Sequence, residues 1–346
     1  MRCLLVLVLA FAASTGLGCD SGIAPHLRDA GPPDTDAPES SYTVAILPDT
    51  QYYASSWPEI FAAQTRFLVE NRLTRGLAFA LHTGDIVDQD VPEQWNVAAD
   101  ALHALDGHLP YVLTSGNHDY ASIADRMGMG NLYFPPAQFA PYPWFQGTFE
   151  AGHIENSFSV FAVPDGKWLV IALEFGPRDE VLAWANEVLR LYRDTRAIVI
   201  THAYLYRDGT LYDHVGAPAQ QFNPHAYTMM GQPGTSINDG AEIWTKLIAP
   251  NSNVKFVFSG HDVNGGSIPP GTVARLTTTR EDGTWVHQLV ANYQTCTAPP
   301  CTAVHGGDGF LRLLRFSAGK VSVETYSPYL DTALVDADNQ FELPLN

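Results

Sequence analysis

Read for the spacing of apolar and polar positions, the chain from Tyr42 onward switches repeatedly between two periods. Short β-branched and aromatic runs at 42–47 (YTVAIL), 77–82 (LAFALH), 110–114 (PYVLT), 197–201 (AIVIT) and 254–258 (VKFVF) are continuous enough to be buried strands. Between them, 57–71, 93–106, 179–193 and 239–249 have the length and apolar spacing of amphipathic helices. Segments 156–163 and 168–174 flank Pro164-Asp165-Gly166, which predicts an antiparallel pair closed by a turn. After 285 the pattern becomes purely strand-like, through 285–292, 309–316 and 320–326. Strands alternating with helices predict an α/β arrangement. With no internal repeat and no second linker, 42–346 reads as one domain.

The polar residues that end these runs change the picture. Asp49 and Gln51, then Asp85, then Asn117 and His118, then His202 and His261 each follow an apolar run. In open α/β sheets, ligands bind beyond the carboxyl ends of the strands, where loops converge. Carboxylate, amide and imidazole groups delivered there by successive runs exceed what packing requires and suggest a metal site at a sheet edge. Gly84 and Gly116 stand just before Asp85 and Asn117, where a sharp turn lets the next side chain point into the site. A lone histidine is ordinarily a surface or core residue. By that reading His82, His103, His108, His153, His214, His225, His287 and His305 are structural, with His82 and His153 the nearest to the cleft. Arg178 either reaches a substrate phosphate or forms a salt bridge at a helix start, and the aromatic stretch 133–145 forms a lid or covers the core.

Composition adds a compartment and excludes one class of partner. The chain has 346 residues, 46% hydrophobic and 16% charged, enough to bury a large core. Its 37 acidic against 19 basic residues leave a formal charge of −18, which repels polyanions and argues against nucleic-acid binding. An anionic substrate must then be attracted locally, as bound cations would do. Residues 1–18 read as a signal peptide, with an apolar stretch from Leu4 to Ala13 behind Met1-Arg2. Gly16-Leu17-Gly18-Cys19 resembles the bacterial lipobox, with Gly16 where leucine is usual, so Cys19 is either a lipidated first residue or an incidental cysteine. Residues 19–41, rich in Pro, Asp and Ser, then serve as a disordered tether. These features predict an exported lipoprotein of the cell envelope, touching the membrane through its lipid alone. In an oxidising compartment Cys296 and Cys301 would join as a small loop disulfide, the alternative being a Cys/His zinc site, for which a second cysteine pair is lacking.

The series PDTQ, GDIVD, GNHD, TH and GH, in that order across roughly 44–264, resembles the calcineurin-like metallophosphoesterase superfamily. The resemblance implies a four-layer α/β/β/α sandwich with a binuclear metal centre at one edge, and hydrolysis of a phosphate monoester or diester by attack of a metal-bound hydroxide. It implies two divalent ions, drawn from Mn, Fe, Zn, Mg or Ca. Asp85 matches the carboxylate that bridges them. Asn117, His202 and His261 match the other ligands of the second ion, and Asp49 a ligand of the first. His118 matches the histidine that protonates the leaving group or stabilises the transition state, with Asp119 orienting its imidazole, while Asp88 would brace the loop.

Two departures weaken the first site. Gln51 stands where the family usually has histidine, and Val263 where the last motif usually has a second one. Asp262 or Asn264 would have to substitute if the loop bends differently. An oxygen-rich first site of Asp49, Gln51 and Asp85 favours Mn, Mg, Ca or high-spin iron over zinc. The alternative is a degenerate envelope protein that binds metal or ligand without turnover, or a purely structural lipoprotein.

Overall fold

The computed structural model describes residues 41–231, 235–263, 272–296 and 303–345. The expected leader, the tether up to position 40 with Cys19, and Asn264 and Cys301 lie outside the described residues. Among the described residues two mixed sheets form. The first runs β13 (Thr332–Leu334), β12 (Lys320–Ser327), β11 (Leu311–Ser317), β1 (Tyr42–Leu47), β2 (Leu77–His82) and β3 (Tyr111–Leu113), with β14 (Phe341–Pro344) also paired to β12. The second runs β4 (Phe145–Thr148), β5 (Ser157–Val163), β6 (Gly166–Leu173), β7 (Arg196–Thr201), β8 (Val254–Ser259), β10 (Trp285–Asn292) and β9 (Thr272–Thr279).

Pairing direction decides where a site can be built. Strands β1, β2 and β3 are mutually parallel, and so are β6, β7, β8 and β10, whereas the outer strands pair antiparallel. Parallel neighbours need crossovers, so the central strands end in loops at one common edge, and from β1 to β3 and from β6 to β8 the chain returns through helices. The helices beside the first sheet are α1 (Gln51–Ser56), α2 (Pro58–Glu70) and α3 (Pro92–Leu102). Proline opens both α2 and α3, at positions whose amide has no helical partner in any case. Two short helices, α4 (Gly130–Tyr133) and α5 (Pro136–Phe139), follow β3 in the chain.

The layers follow from side-chain alternation. In β1, Val44 and Ile46 pack with the second sheet while Ala45 and Leu47 pack with the helices. Residues from both sheets interlock between them, with Phe79 against Phe161 and Trp168 near Phe256 and Phe316. A buried phenylalanine contributes about 1.5–3 kcal/mol relative to its exposed state, so this layer is a large share of the drive to fold. Its polar link is a hydrogen bond from Trp168 Nε1 to Tyr42 Oη at 2.6 Å. On the far face, α6 (Asp179–Leu191) buries Val181, Leu182, Ala185, Val188 and Leu189, the spacing of one helical stripe, against β6 and β7. Helices, sheet, sheet and helices thus stack as the expected four-layer sandwich.

Several details differ from expectation. The helix read at 93–106 ends at Leu102 and tightens into a 3₁₀ turn, His103–Leu105. The one read at 239–249 starts as α7 (Gly240–Ile243) and widens into a π-helical turn, Trp244–Ile248. Strands β4, β9, β13 and β14 were not predicted. Three of them have four residues or fewer, and β9 is a threonine-rich edge strand whose half-exposed faces give little apolar signal. Phe134 and Phe139 are buried with α3 in the core, so the aromatic stretch 133–145 covers the core. Among the described residues, no helix is long and apolar enough to cross a membrane.

Candidate metal centre

The carboxyl ends of β1, β2, β3, β7, β8 and β10 converge, and their loops are stitched together by backbone before any side chain is considered. Thr50 donates its amide to the Asp85 carbonyl at 3.1 Å, and the Gly260 amide bonds the His202 carbonyl at 2.9 Å. Loops this close leave no room for Cβ atoms at two points. A Cβ on Gly116 would lie 2.0 Å from Asp85 Oδ1, and one on Gly260 would lie 2.0 Å from Asp49 Oδ1. Asp85 and His261 themselves hold left-handed backbone, with φ of 50° and 70°. Such conformations cost about 1–3 kcal/mol for a non-glycine residue and persist where the surroundings impose them.

Asp85, His202 and His261 are all buried, and one ligand-capable atom from each lies within 4.8 Å of the others. His202 Nδ1 donates to the Thr83 carbonyl at 2.8 Å, which leaves Nε2 as the nitrogen that takes up a proton or a ligand. That Nε2 sits 3.1 Å from Asp85 Oδ2 yet has no hydrogen bond of acceptable angle. Lone pairs facing each other repel unless a cation or a proton lies between them. His261 repeats the arrangement, donating Nε2–H to the Phe222 carbonyl at 2.8 Å and keeping Nδ1 for a ligand. Two further acceptors, Asn117 Oδ1 and Gln51 Oε1, are buried without a hydrogen-bond partner. Gln51 gives its amide Nε2–H to Asp88 Oδ1 at 3.2 Å, which turns its carbonyl oxygen away as a free donor atom. Oxygen and nitrogen lone pairs left over in a buried site are the donor set of a divalent cation, so these residues fit one.

Electrostatics agree. Burial pushes the Asp49 carboxyl up to about 7, against the pull of His202. Burial raises Asp85 as well, but the charges of His202, His118 and His261 outweigh it and hold that carboxyl below the usual range. Burial lowers His202, and Asp85 and Asp49 outweigh that too, lifting it to about 9. His261, with burial dominant, falls to about 3.

Asp49 is held by the His261 amide at 3.1 Å and by Asn292 Nδ2 at 2.6 Å. Asn292 was missed in the sequence, although it ends β10 just as the other site residues end or follow their strands. The expected partnership of His118 and Asp119 is not what the structure contains. Asp119 turns inward, its Oδ1 accepting from the Ile86 and Val87 amides and its Oδ2 from Gly116, so it braces the loop that carries Asp85. His118 donates Nδ1–H to the Asp88 carbonyl at 2.8 Å, and its side chain is 40% exposed at the rim. The roles read for Asp88 and Asp119 are therefore exchanged, because a sequence cannot show which carbonyl a turn presents. Burial lowers the His118 pKa, but Asp85 and the Asp88 backbone and carboxylate outweigh it, so the imidazole is more basic than usual.

Asp262 does not replace the missing histidine. It is clamped by Arg207, with Nη2 to Oδ1 at 2.7 Å and Nε to Oδ2 at 3.1 Å. Arg178 binds Glu174 at 2.8 Å and also Glu150 and Glu180, the helix-start salt bridge. Cys296 is buried and disulfide-bonded. His82 is a core residue whose Nε2 meets Thr50 Oγ1 at 2.9 Å.

A double α/β sandwich carrying carboxylates, amides and imidazoles at the ends of its parallel strands defines a class of metal-binding hydrolase folds. The chain belongs to the calcineurin-like phosphoesterases, whose family model matches residues 42–265. It is 29% identical over 343 positions to the uncharacterised protein YvnB of Bacillus subtilis, covering 92% of this chain and 22% of that one. The fold resembles a purple acid phosphatase from yellow lupin seeds, with a TM-score of 0.50, 13% identity, and coverage of 88% of this chain and 54% of the other. A 5′-nucleotidase precursor from Thermus thermophilus is also similar, with a TM-score of 0.43, 13% identity, and coverage of 88% and 55%. The chain therefore spans about a fifth of the length of YvnB and about half that of the two solved structures.

The perturbed groups predict how metal binding responds to pH. Asp49 and His202 carry protons near neutrality in the metal-free protein, with pKa values of about 7 and about 9. Ligation must displace those protons, so affinity rises as they leave. Competition titration with Mn²⁺ is expected to show binding tightening by about tenfold or more between pH 6 and pH 8. An affinity independent of pH across that range would mean that neither group is a ligand.

Proposed function

We propose that the protein hydrolyses a phosphate monoester or diester with two divalent cations held at this strand edge. The observation that carries the reading is the pair of buried, unpartnered carbonyl oxygens, Gln51 Oε1 and Asn117 Oδ1, which follow β1 and β3 at the edge that also carries the Asp85, His202 and His261 cluster. An unsatisfied buried acceptor costs about 1–3 kcal/mol, and a cation is a partner that these oxygens and the imidazole nitrogens can share. Asp49, Gln51 and Asp85 would hold one ion, and Asp85, Asn117, His202 and His261 the other. When bound, such ions supply Lewis acidity toward a phosphoryl oxygen and lower the pKa of water.

The chain's own residues do the rest. Asp119 and the Gly116 turn hold Asp85 in register, and Asn292 keeps the Asp49 carboxylate in place. His118, anchored through Nδ1, presents Nε2 at the rim, where a protonated imidazole can give its proton to a leaving oxygen. Cations at this edge would also counter the −18 charge that otherwise repels a phosphate. Val263 favours the second reading, a form that binds metal without turnover, because it leaves the first ion one imidazole short.

Purified protein is expected to hydrolyse p-nitrophenyl phosphate or its bis ester with added Mn²⁺. Asp85→Asn should abolish turnover, and His118→Ala should lower kcat by about 10²–10⁴. Bound metal with no turnover across a broad phosphoester panel would establish the non-catalytic form instead. We further propose that the mature chain begins at a lipidated Cys19 and is tethered to the cell envelope through 19–41. Expressed in a bacterial host with a lipoprotein pathway, wild type should partition into the detergent phase and Cys19→Ala into the aqueous phase. Equal partitioning of the two would contradict the anchor.

A further inference from the structure

The loop between β7 and α7 carries chemistry that the phosphoesterase centre does not use. His214 and His225, read in the sequence as structural, meet Asp239 and Glu242 at the start of α7. One ligand-capable atom from each of the four lies within 4.8 Å of the others. His214 Nδ1 is 2.9 Å from Asp239 Oδ2, and His225 Nε2 is 2.6 Å from Glu242 Oε2. The two imidazoles stack, with ring centroids 3.6 Å apart and planes 22° from parallel. Side-chain exposure is 0% for Asp239, 12% for His225, 28% for Glu242 and 35% for His214, so the group is sunk into the protein but reachable from solvent.

Its charge does not balance from within. With neutral imidazoles the cluster carries two negative charges, one of them fully buried. Among the described residues, the Lys or Arg within ion-pair distance of either carboxylate is Lys246, 3.7 Å from Glu242, and it pairs more closely with Asp179 at 2.9 Å. Protonating both imidazoles would set two cations face to face at the 3.6 Å stacking distance, where they repel. One divalent cation resolves both difficulties, neutralising two carboxylates while the imidazoles stay neutral.

Two imidazole nitrogens and two carboxylate oxygens are a donor set that Zn²⁺ and Mn²⁺ accept. The ring nitrogens and carboxylate oxygens, 2.6 and 2.9 Å apart, are at hydrogen-bond distance, and the pairs would open to roughly 3 Å or more around one ion with bonds of about 2.0–2.2 Å. Outer hydrogen bonds already fix the carboxylates, as they do around metal ligands. Asp239 Oδ1 accepts the Glu242 amide at 3.2 Å, Asp239 Oδ2 accepts Asn223 Nδ2 at 3.2 Å, and Glu242 Oε2 accepts the Asp239 amide at 3.1 Å. We infer that His214, His225, Asp239 and Glu242 form a separate binding site for one divalent transition-metal cation.

The site has a structural consequence for the neighbouring centre. Asn223 ties the cluster to the residue before it, Phe222, whose carbonyl accepts the Nε2–H of His261. Phe222 has a strained φ of 62°, a conformation that needs support. A cation at Asp239 would fix the loop that aims His261. The inference stands whether or not the Asp85 centre turns over a phosphoester.

Metal analysis of the full-length protein, loaded with Zn²⁺ or Mn²⁺ alone and desalted, tests it. An Asp85→Asn/His202→Ala variant should still retain about one equivalent of metal. A His214→Ala/His225→Ala variant should hold about one equivalent less than wild type, with far-UV circular dichroism confirming its fold. Complete loss of metal from the Asp85/His202 variant would overturn the proposal, and so would a histidine double variant with the wild-type metal content. Because the first of these leaves the 214–242 loop untouched, the test stands even if the second variant fails to fold.

Discussion

Negative charge buried at the edge of two sheets is the constraint on which the rest of this structure depends. Asp49 and Asp85 lie where strands β1 and β2 end, each almost without solvent. A carboxylate in such a place is costly unless it is protonated, hydrogen-bonded or bound to a cation. The fold supplies partial relief in every available way. Backbone amides from His118 and His261 point at the two carboxylates, Asn292 adds a side-chain donor, and the imidazole of His202 is lifted into a basic range by their charge. The relief is incomplete in a particular direction, because what remains is a set of lone pairs on Gln51, Asn117 and His261, with His202 Nε2 facing Asp85 across 3.1 Å. Amides and imidazoles held in that way are poor partners for one another and good partners for a metal.

The two halves of the edge are not equivalent, and the difference is local. On the side of Asp85, the imidazoles are locked by carbonyls from Thr83 and Phe222, and the loop is locked by Asp119. On the side of Asp49, a histidine of the family pattern is replaced by Gln51, whose carbonyl is aimed by Asp88, and another by Val263. The acid next to Val263 cannot compensate, since Arg207 occupies both oxygens of Asp262. An oxygen-dominated first site suits a harder and more loosely held cation than the second.

Much of this was legible in the chain. Apolar runs at 42–47, 77–82, 197–201 and 254–258 became β1, β2, β7 and β8 within a residue at each end, because strands buried on both faces need uninterrupted apolar sequence. The polar residues that follow them proved to be the ones that gather. What could not be read depends on contacts distant in sequence. The exchange of roles between Asp88 and Asp119 turns on backbone groups, which a sequence does not distinguish. Asn292 sits 243 residues from the carboxylate that it holds. His214 and His225 match no motif, and only the return of α7 brings Asp239 and Glu242 to them. The edge strand β9, with half-exposed threonines, has no core face strong enough to declare itself.

The central claim is that the leftover lone pairs at this edge are metal ligands. Anomalous diffraction from crystals grown with Mn²⁺, recorded on either side of its absorption edge, tests it most directly. The account predicts a strong peak bounded by Asp85, Asn117, His202 and His261, and a second, weaker one bounded by Asp49, Gln51 and Asp85. A map with no peak beside Asp85, from protein whose fold is intact, would contradict it.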